Sequence, residues 1–315
     1  MKRSALSRSA LQIGAVLAVS TLALAGCSAP TPDDGVLRIV ASTNVYGSIA
    51  QAIAGDHAEV TSIITSPDQD PHDYEATARD QLAISKADIV IENGGGYDPF
   101  IDMLLSSSGS DHVVVLNAVE LSGLLEEDHD HDSEEEGHGH IEGFNEHIWY
   151  SLPAMERLAG KIAEELTTAD SANAAQYEQN LKAFEGRLNE LESQVRALHE
   201  RFNGEGTAIT EPVPLYLLEG IGLVNRTPAA FSEAVEAGTD VPPAALQQAL
   251  AVLETHQVRL LVYNEQTSGP EMDQLIAAAG QAGVPAIPVA ETLPEGKDYL
   301  SWMDGNLAAI ATALG

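Results

Sequence analysis

Two α/β lobes, each a mostly parallel sheet flanked by helices and both joined by one long rigid α-helix, are the fold this sequence predicts. Three observations carry that expectation. Short apolar runs recur between turn residues, at residues 37–41, 60–64, 88–92 and 113–116, and again at 207–210, 260–263 and 286–289. Helix-like stretches alternate with them, for example at 45–54, 80–86, 242–256 and 271–282, which is the βαβ pattern of a parallel sheet. Between the two series runs one uninterrupted helical stripe.

The strands justify themselves by what lies on both faces. The runs Ile89-Val90-Ile91-Glu92-Asn93 and Leu260-Leu261-Val262-Tyr263-Asn264 are apolar at successive positions rather than alternating. Such strands are covered on both sides, as in parallel sheets. The stripe is Tyr177, Leu181, Phe184, Leu188, Leu191, Val195, Leu198 and Phe202, at spacings of 4, 3, 4, 3, 4, 3 and 4. That is one helix face, roughly 45 Å long for about 30 residues at 1.5 Å each. A coiled coil with another chain is the rival use of the same stripe. Pro153 suits the first turn of a shorter helix ahead of it, with Ser151 as candidate cap.

Composition narrows the class. Lys2, Arg3 and Arg8 precede an apolar run at 10–25, the pattern of a secretory signal and too short for a membrane span. The only cysteine, Cys27, follows Leu24-Ala25-Gly26, which resembles the lipobox of bacterial lipoproteins. That resemblance implies a signal peptide over 1–26, a lipid on Cys27 and a tether over 27–35 that anchors an extracytoplasmic protein to the cell membrane. No intrachain disulfide is possible. Without Lys2, Arg3 and Arg8, 12 of the 15 basic residues remain against 48 acidic ones, a formal charge of −36. Such a surface repels nucleic acid and attracts cations. The domain reading is an N-terminal lobe at 36–150, a helical linker at 151–204 and a C-terminal lobe at 205–315.

Residues 128–150 read DHDHDSEEEGHGHIEGFNEHIWY, with five of the ten histidines and eight carboxylates. Histidine at that density points to metal rather than to solubility, because neutral imidazole adds little charge. His129, His131, His138 and His140 form an accessory collector in a disordered His- and acid-rich loop at about 126–142. In open α/β sheets ligands bind beyond the carboxyl ends of the strands. The metal-capable groups that fall there are His72, Glu92, Glu211, Glu265 and Glu291, with His147 just after the His-rich run. Both halves thus aim such groups at the cleft between them.

These residues resemble the zinc/manganese-type substrate-binding lipoproteins of bacterial ABC importers. The likeness rests on Asp70-Pro71-His72, on Asn145-Glu146-His147-Ile148-Trp149, on the His-rich loop before it and on the long helix, and it covers the mature chain. The resemblance implies four metal ligands: His72, His147, Glu211 in Thr210-Glu211-Pro212, and Glu291 in Val289-Ala290-Glu291, where relatives usually carry aspartate. Glu265 is the nearest competitor for the fourth position and is otherwise a supporting carboxylate behind it. Two imidazoles and two carboxylates balance a dication and leave no open position for a reactive water, so the site binds rather than catalyses. The imidazoles of the loop favour Zn2+, and Glu211 keeps Mn2+ next in line. The implied partners are the divalent ion, a membrane permease of an ABC transporter and the membrane itself, with the chain a monomer. A metal-buffering or adhesin-like lipoprotein without a transporter is the first alternative, and a metallohydrolase the second. No HExxH, Gly-x-Ser-x-Gly or phosphate-loop motif occurs, and Ile141-Glu142 follows His138-Gly139-His140 where a hydrolase would need Asp-His.

Overall fold

A computed structural model describes residues 35–72, 74–109, 112–125, 141 and 143–315. Cys27, the signal and tether before residue 35, and the loop histidines His129, His131, His138 and His140 lie outside the described residues. The first sheet contains β1 (Leu37–Thr43), β2 (Ala58–Ile64), β3 (Ile89–Glu92) and β4 (Val114–Asn117), all parallel, in the order β2-β1-β3-β4. The second repeats that order with β5 (Gly206–Ile209), β6 (Val224–Asn225), β7 (Leu260–Asn264) and β8 (Ala286–Val289), as β6-β5-β7-β8. All four residues of β3 and all four of β5 are buried, as expected for strands covered on both faces.

The helices of the first lobe are α1 (Asn44–Ala54), α2 (Ala78–Ile84), α3 (Phe100–Ser108) and α4 (Ala118–Ser122). Between the sheets run α5 (Leu152–Ala169) and α6 (Ala174–Phe202). The second lobe adds α7 (Leu215–Gly220), α8 (Ala229–Glu236), α9 (Pro243–Glu254), α10 (Pro270–Ala282) and α11 (Tyr299–Leu314). Pro153 stands in the first turn of α5 as expected, but Ser151 makes no capping bond through its side chain. At α2 the cap is complete: Thr77 and Asp80 bond each other's backbone N–H groups, satisfying two donors that the first turn would leave open.

The 29-residue α6 is the joint expected from the 4-3 stripe. Tyr177, Phe184, Leu188, Leu191, Leu198 and Phe202 are buried and Leu181 and Val195 partly so, all in the protein's own core, packed against α1, α5, α7 and α11. The stripe is used within the chain, and the coiled-coil alternative loses its surface. That core is shared, since Ile39 and Ile91 of the first sheet, Leu188 of α6 and Val262 and Leu307 of the second half belong to one cluster. Smaller clusters fill the outer faces, under α2 and α3 and under α9 and α10. No helix among the described residues is long and apolar enough to cross a membrane.

In each sheet the strand order reverses between the first and third strands, the switch point at which a crevice opens beyond the strand ends. The segments that follow β2, β5, β7 and β8 carry His72, Glu211, Glu265 and Glu291, Glu92 ends β3, and His147 comes after α4.

Candidate metal centre

The first lobe supplies two imidazoles. After β2 the chain turns at Asp70-Pro71-His72, where the His72 backbone N–H donates to Asp70 Oδ1 at 2.9 Å. Tyr74 anchors the far side of this loop on the ring of Phe100 and on Asp80. The His72 ring stands edge-on to Tyr97, 5.1 Å between centroids. Its Nε2 lies 3.3 Å from Glu146 Oε1.

His147 is 1% exposed, wedged between Tyr97 and Trp149. Its orientation follows from Asn145. The Asn145 amide nitrogen donates to the Pro212 carbonyl at 3.1 Å, which turns Oδ1 toward the imidazole, 2.8 Å from Nδ1. An amide oxygen can only accept, so Nδ1 carries the ring proton and the Nε2 lone pair is the available donor. Nε2 faces Glu236 Oε1 at 3.5 Å and Glu291 Oε2 at 4.0 Å. The sequence motif Asn145-Glu146-His147 is thus a tautomer lock, and Tyr216 of the opposite lobe closes it by donating its hydroxyl to the Asn145 carbonyl at 2.7 Å.

The floor beneath Glu146 is the turn after β3. Asn93 donates to the Glu146 carbonyl at 3.1 Å, while Asp98 accepts from the backbone N–H groups of Asn93 and Gly94. Gly94, with φ +77°, lies where a Cβ would sit 2.4 Å from the Asn117 side chain, so both conformation and space require glycine there. Glu92 is tied to that same Asn117 at 2.9 Å, and burial pushes its carboxyl up to about 8. It serves the scaffold and stays outside the ring of donors.

The second lobe supplies the carboxylates. Glu211, 4% exposed, takes the Thr267 hydroxyl on Oε1 at 2.9 Å, and its Oε2 is buried without a hydrogen-bond partner. Burial raises its pKa. Glu291 is held from both lobes, by Tyr97 Oη at 3.1 Å and Asn264 Nδ2 at 2.8 Å, while Gln266 Oε1 takes its backbone N–H at 2.6 Å. Burial, then the charge of Glu211, pushes Glu291 up to about 7. Glu265, expected as competitor or support for Glu291, is exposed at the rim; Asn264, Gln266 and Thr267 around it make the supporting bonds.

Sequence reasoning did not find Glu146 and Glu236. Ligand atoms of His72, Glu146 and Glu236 all lie within 4.8 Å of one another. Glu236 ends α8, and burial, then the charge of Glu146, pushes it up to about 8. Neither residue follows a strand, so the strand-end search passed over them. Glu146 was legible only as part of the motif around His147. His57 meets Tyr177 edge-on, and His199 Nδ1 lies 3.2 Å from the Gly220 carbonyl.

Comparison with known proteins agrees with this chemistry. A family model described as zinc-uptake complex component A, periplasmic, matches residues 39–313. The manganese ABC transporter substrate-binding lipoprotein PsaA of Streptococcus anginosus is 26% identical over 323 residues, covering 95% of this chain and 97% of its own. A solved structure of the substrate-binding protein FpvC of P. aeruginosa with Ni2+ superposes with a TM-score of 0.70 at 25% identity, covering 89% of this chain and 97% of that one. The periplasmic zinc-binding protein TroA of Treponema pallidum shares the fold, with a TM-score of 0.71 at 17% identity, over 89% of this chain and 100% of that one.

Proposed function

Because the chain belongs to the ZnuA family of periplasmic zinc-uptake components, we propose that it captures a divalent first-row metal ion outside the cytoplasm and delivers it to the membrane permease of an ABC-type importer. It is a solute-binding component and not an enzyme. Relatives named as lipoproteins support an extracytoplasmic protein held at the membrane, consistent with the Leu24-Ala25-Gly26-Cys27 segment.

The observation that carries this reading is the locked His147. Asn145 fixes its tautomer, and the remaining nitrogen looks at carboxylates of the opposite lobe. A buffer or adhesin needs no such convergence of distant residues. On this reading His72, His147, Glu211 and Glu291 are the cargo ligands, and Asn145, Tyr97, Asn264 and Thr267 hold them. Binding takes neutral imidazole and ionised carboxylate, so it releases protons and strengthens as pH rises through about 7, where Glu291 titrates. Zinc is the favoured cargo, on the imidazole-rich loop and on the stability order of first-row ions, with manganese next.

Metal analysis and competitive titration of the purified chain test this. One tight dication per chain is expected, and His147→Ala should weaken it by about a hundredfold or more, above the usual cost of losing only a supporting group. Undiminished tight binding in His147→Ala would sink the cleft site.

A further inference from the structure

The cleft contains more donors than a four-coordinate ion can use. The Glu236 carboxylate lies beside both imidazoles: its Oε1 is 3.5 Å from His147 Nε2, and one of its oxygens falls within 4.8 Å of ligand atoms of His72 and Glu146. Glu146 faces His72 and Glu291 faces His147. Glu211 offers a buried Oε2 with no hydrogen-bond partner, in a side chain more than nine-tenths buried. Among the described residues, no lysine or arginine lines either part of the cleft. Glu236 therefore sits near Glu146, Glu211 and Glu291, carboxylates of like charge, with no basic side chain beside it on the lining of the cleft. A cation is the partner this arrangement lacks.

We propose that Glu236, on the last residue of α8, is a fifth metal ligand that bridges the two imidazoles and tunes the site toward hard dications of coordination number above four. This rests on the reading of the cleft as the cargo site. With Glu236 the shell becomes two nitrogens and three carboxylates, one negative charge in excess of a dication. Zinc in protein sites of this ligand type settles for four ligands, so a fifth carboxylate is largely surplus to it. Manganese and ferrous iron accept larger, oxygen-rich shells, and the extra anion is used in full. Zinc still binds more tightly in absolute terms, by the ordinary stability order; Glu236 narrows the gap.

The test is Glu236→Gln in the full chain, titrated with Mn2+ and separately with Zn2+ against a competing chromophoric chelator. The change is isosteric, and Glu236 is 23% exposed at a helix end. Mn2+ affinity should fall about tenfold or more, the scale seen for groups that tune a metal site, and Zn2+ affinity by clearly less. One equivalent of Co2+ gives a second readout independent of affinity. The wild-type visible band should have the low intensity of five- or six-coordinate cobalt, and Glu236→Gln should move it toward the strong tetrahedral band. An unchanged Mn2+/Zn2+ ratio, or identical cobalt spectra, overturns the proposal. His147→Ala separates the two levels: if it retains tight binding the cargo site itself is misplaced, and if it loses binding while Glu236→Gln changes nothing, only the role of Glu236 fails.

Discussion

Asn145 is the residue whose loss should cost most for the least chemistry removed. It touches no metal-capable atom except through His147, yet it fixes which nitrogen of that ring is protonated and ties the ring to Pro212 of the other lobe. Asn145→Ala frees both. Metal affinity is expected to drop about 10- to 100-fold with the fold intact, measured by chelator competition beside a far-UV spectrum. Unchanged affinity would mean that the ring is held by Tyr97 and Trp149 alone. Glu92 makes the opposite kind of prediction. Its folded pKa, about 8, lies above the ordinary 4.5, so the native state binds a proton that the unfolded chain has given up. The stability linked to it is present in full below about pH 4 and is lost as pH rises through about 8. Glu92→Gln, a neutral mimic that can still accept from Asn117, should raise stability at pH 8.5 by on the order of 4 kcal/mol and leave it unchanged at pH 4. Denaturant titrations at the two pH values measure this, and an equal effect at both would rule out the proton as the cause. At this scale the histidines could be read from sequence because Asp70-Pro71-His72 and Asn145-Glu146-His147 are local motifs. Glu236 could not, because nothing in Ala229–Glu236 marks its last residue as facing a histidine ninety positions earlier.

Among the elements, α6 was the most legible, because its apolar period runs unbroken for seven intervals and no rival period fits it. Leu188 is 1% exposed midway along it and belongs to the core common to both sheets. Leu188→Ala should cost about 2–5 kcal/mol in denaturant unfolding, the range for emptying a buried leucine site. A cost below 1 kcal/mol would show that the helix is carried by its ends rather than by the stripe. Seven strands could be read as apolar runs, with ends displaced by at most two residues. The eighth, Val224–Asn225, is two residues long and half polar, and its membership is decided by pairing with β5. The short α4 and α7 escaped for a related reason: five or six residues do not complete two turns, so periodicity has nothing to repeat. The turn at Asn93-Gly94-Gly95-Gly96 supports the Glu146 carbonyl through a contact 53 residues away, which no local pattern announces.

For the whole molecule the question is how far two lobes of identical strand order can move when the ion arrives. The seam between them is stitched along its length. Asn44 exchanges hydrogen bonds with the backbone of Leu293, at 3.2 and 2.9 Å. Tyr150 donates to the Ala290 carbonyl at 2.7 Å and Tyr299 to the Trp149 carbonyl at 2.8 Å, and all three of Tyr150, Tyr299 and Trp302 are buried. A wide hinge would have to break these bonds and open the shared core behind them, at about 1 kcal/mol or more for each buried bond left unmade. The capture of one ion has better uses for its binding energy. The loops at the mouth carry exposed bonds: Gln266 reaches the Pro67 carbonyl at 2.9 Å, and the His72 backbone N–H is held by the Asp70 side chain at 2.9 Å. Metal binding is therefore expected to slow amide exchange in the loops around residues 66–72, 143–147, 211–216 and 264–267, while amides of α6 and of β1, β3, β5 and β7 keep their protection. Hydrogen exchange followed by mass spectrometry, with and without one equivalent of metal, separates the two cases. Altered protection along α6 would mean that the lobes rotate about it, and the seam of tyrosines would then be a latch that opens rather than a fixed joint.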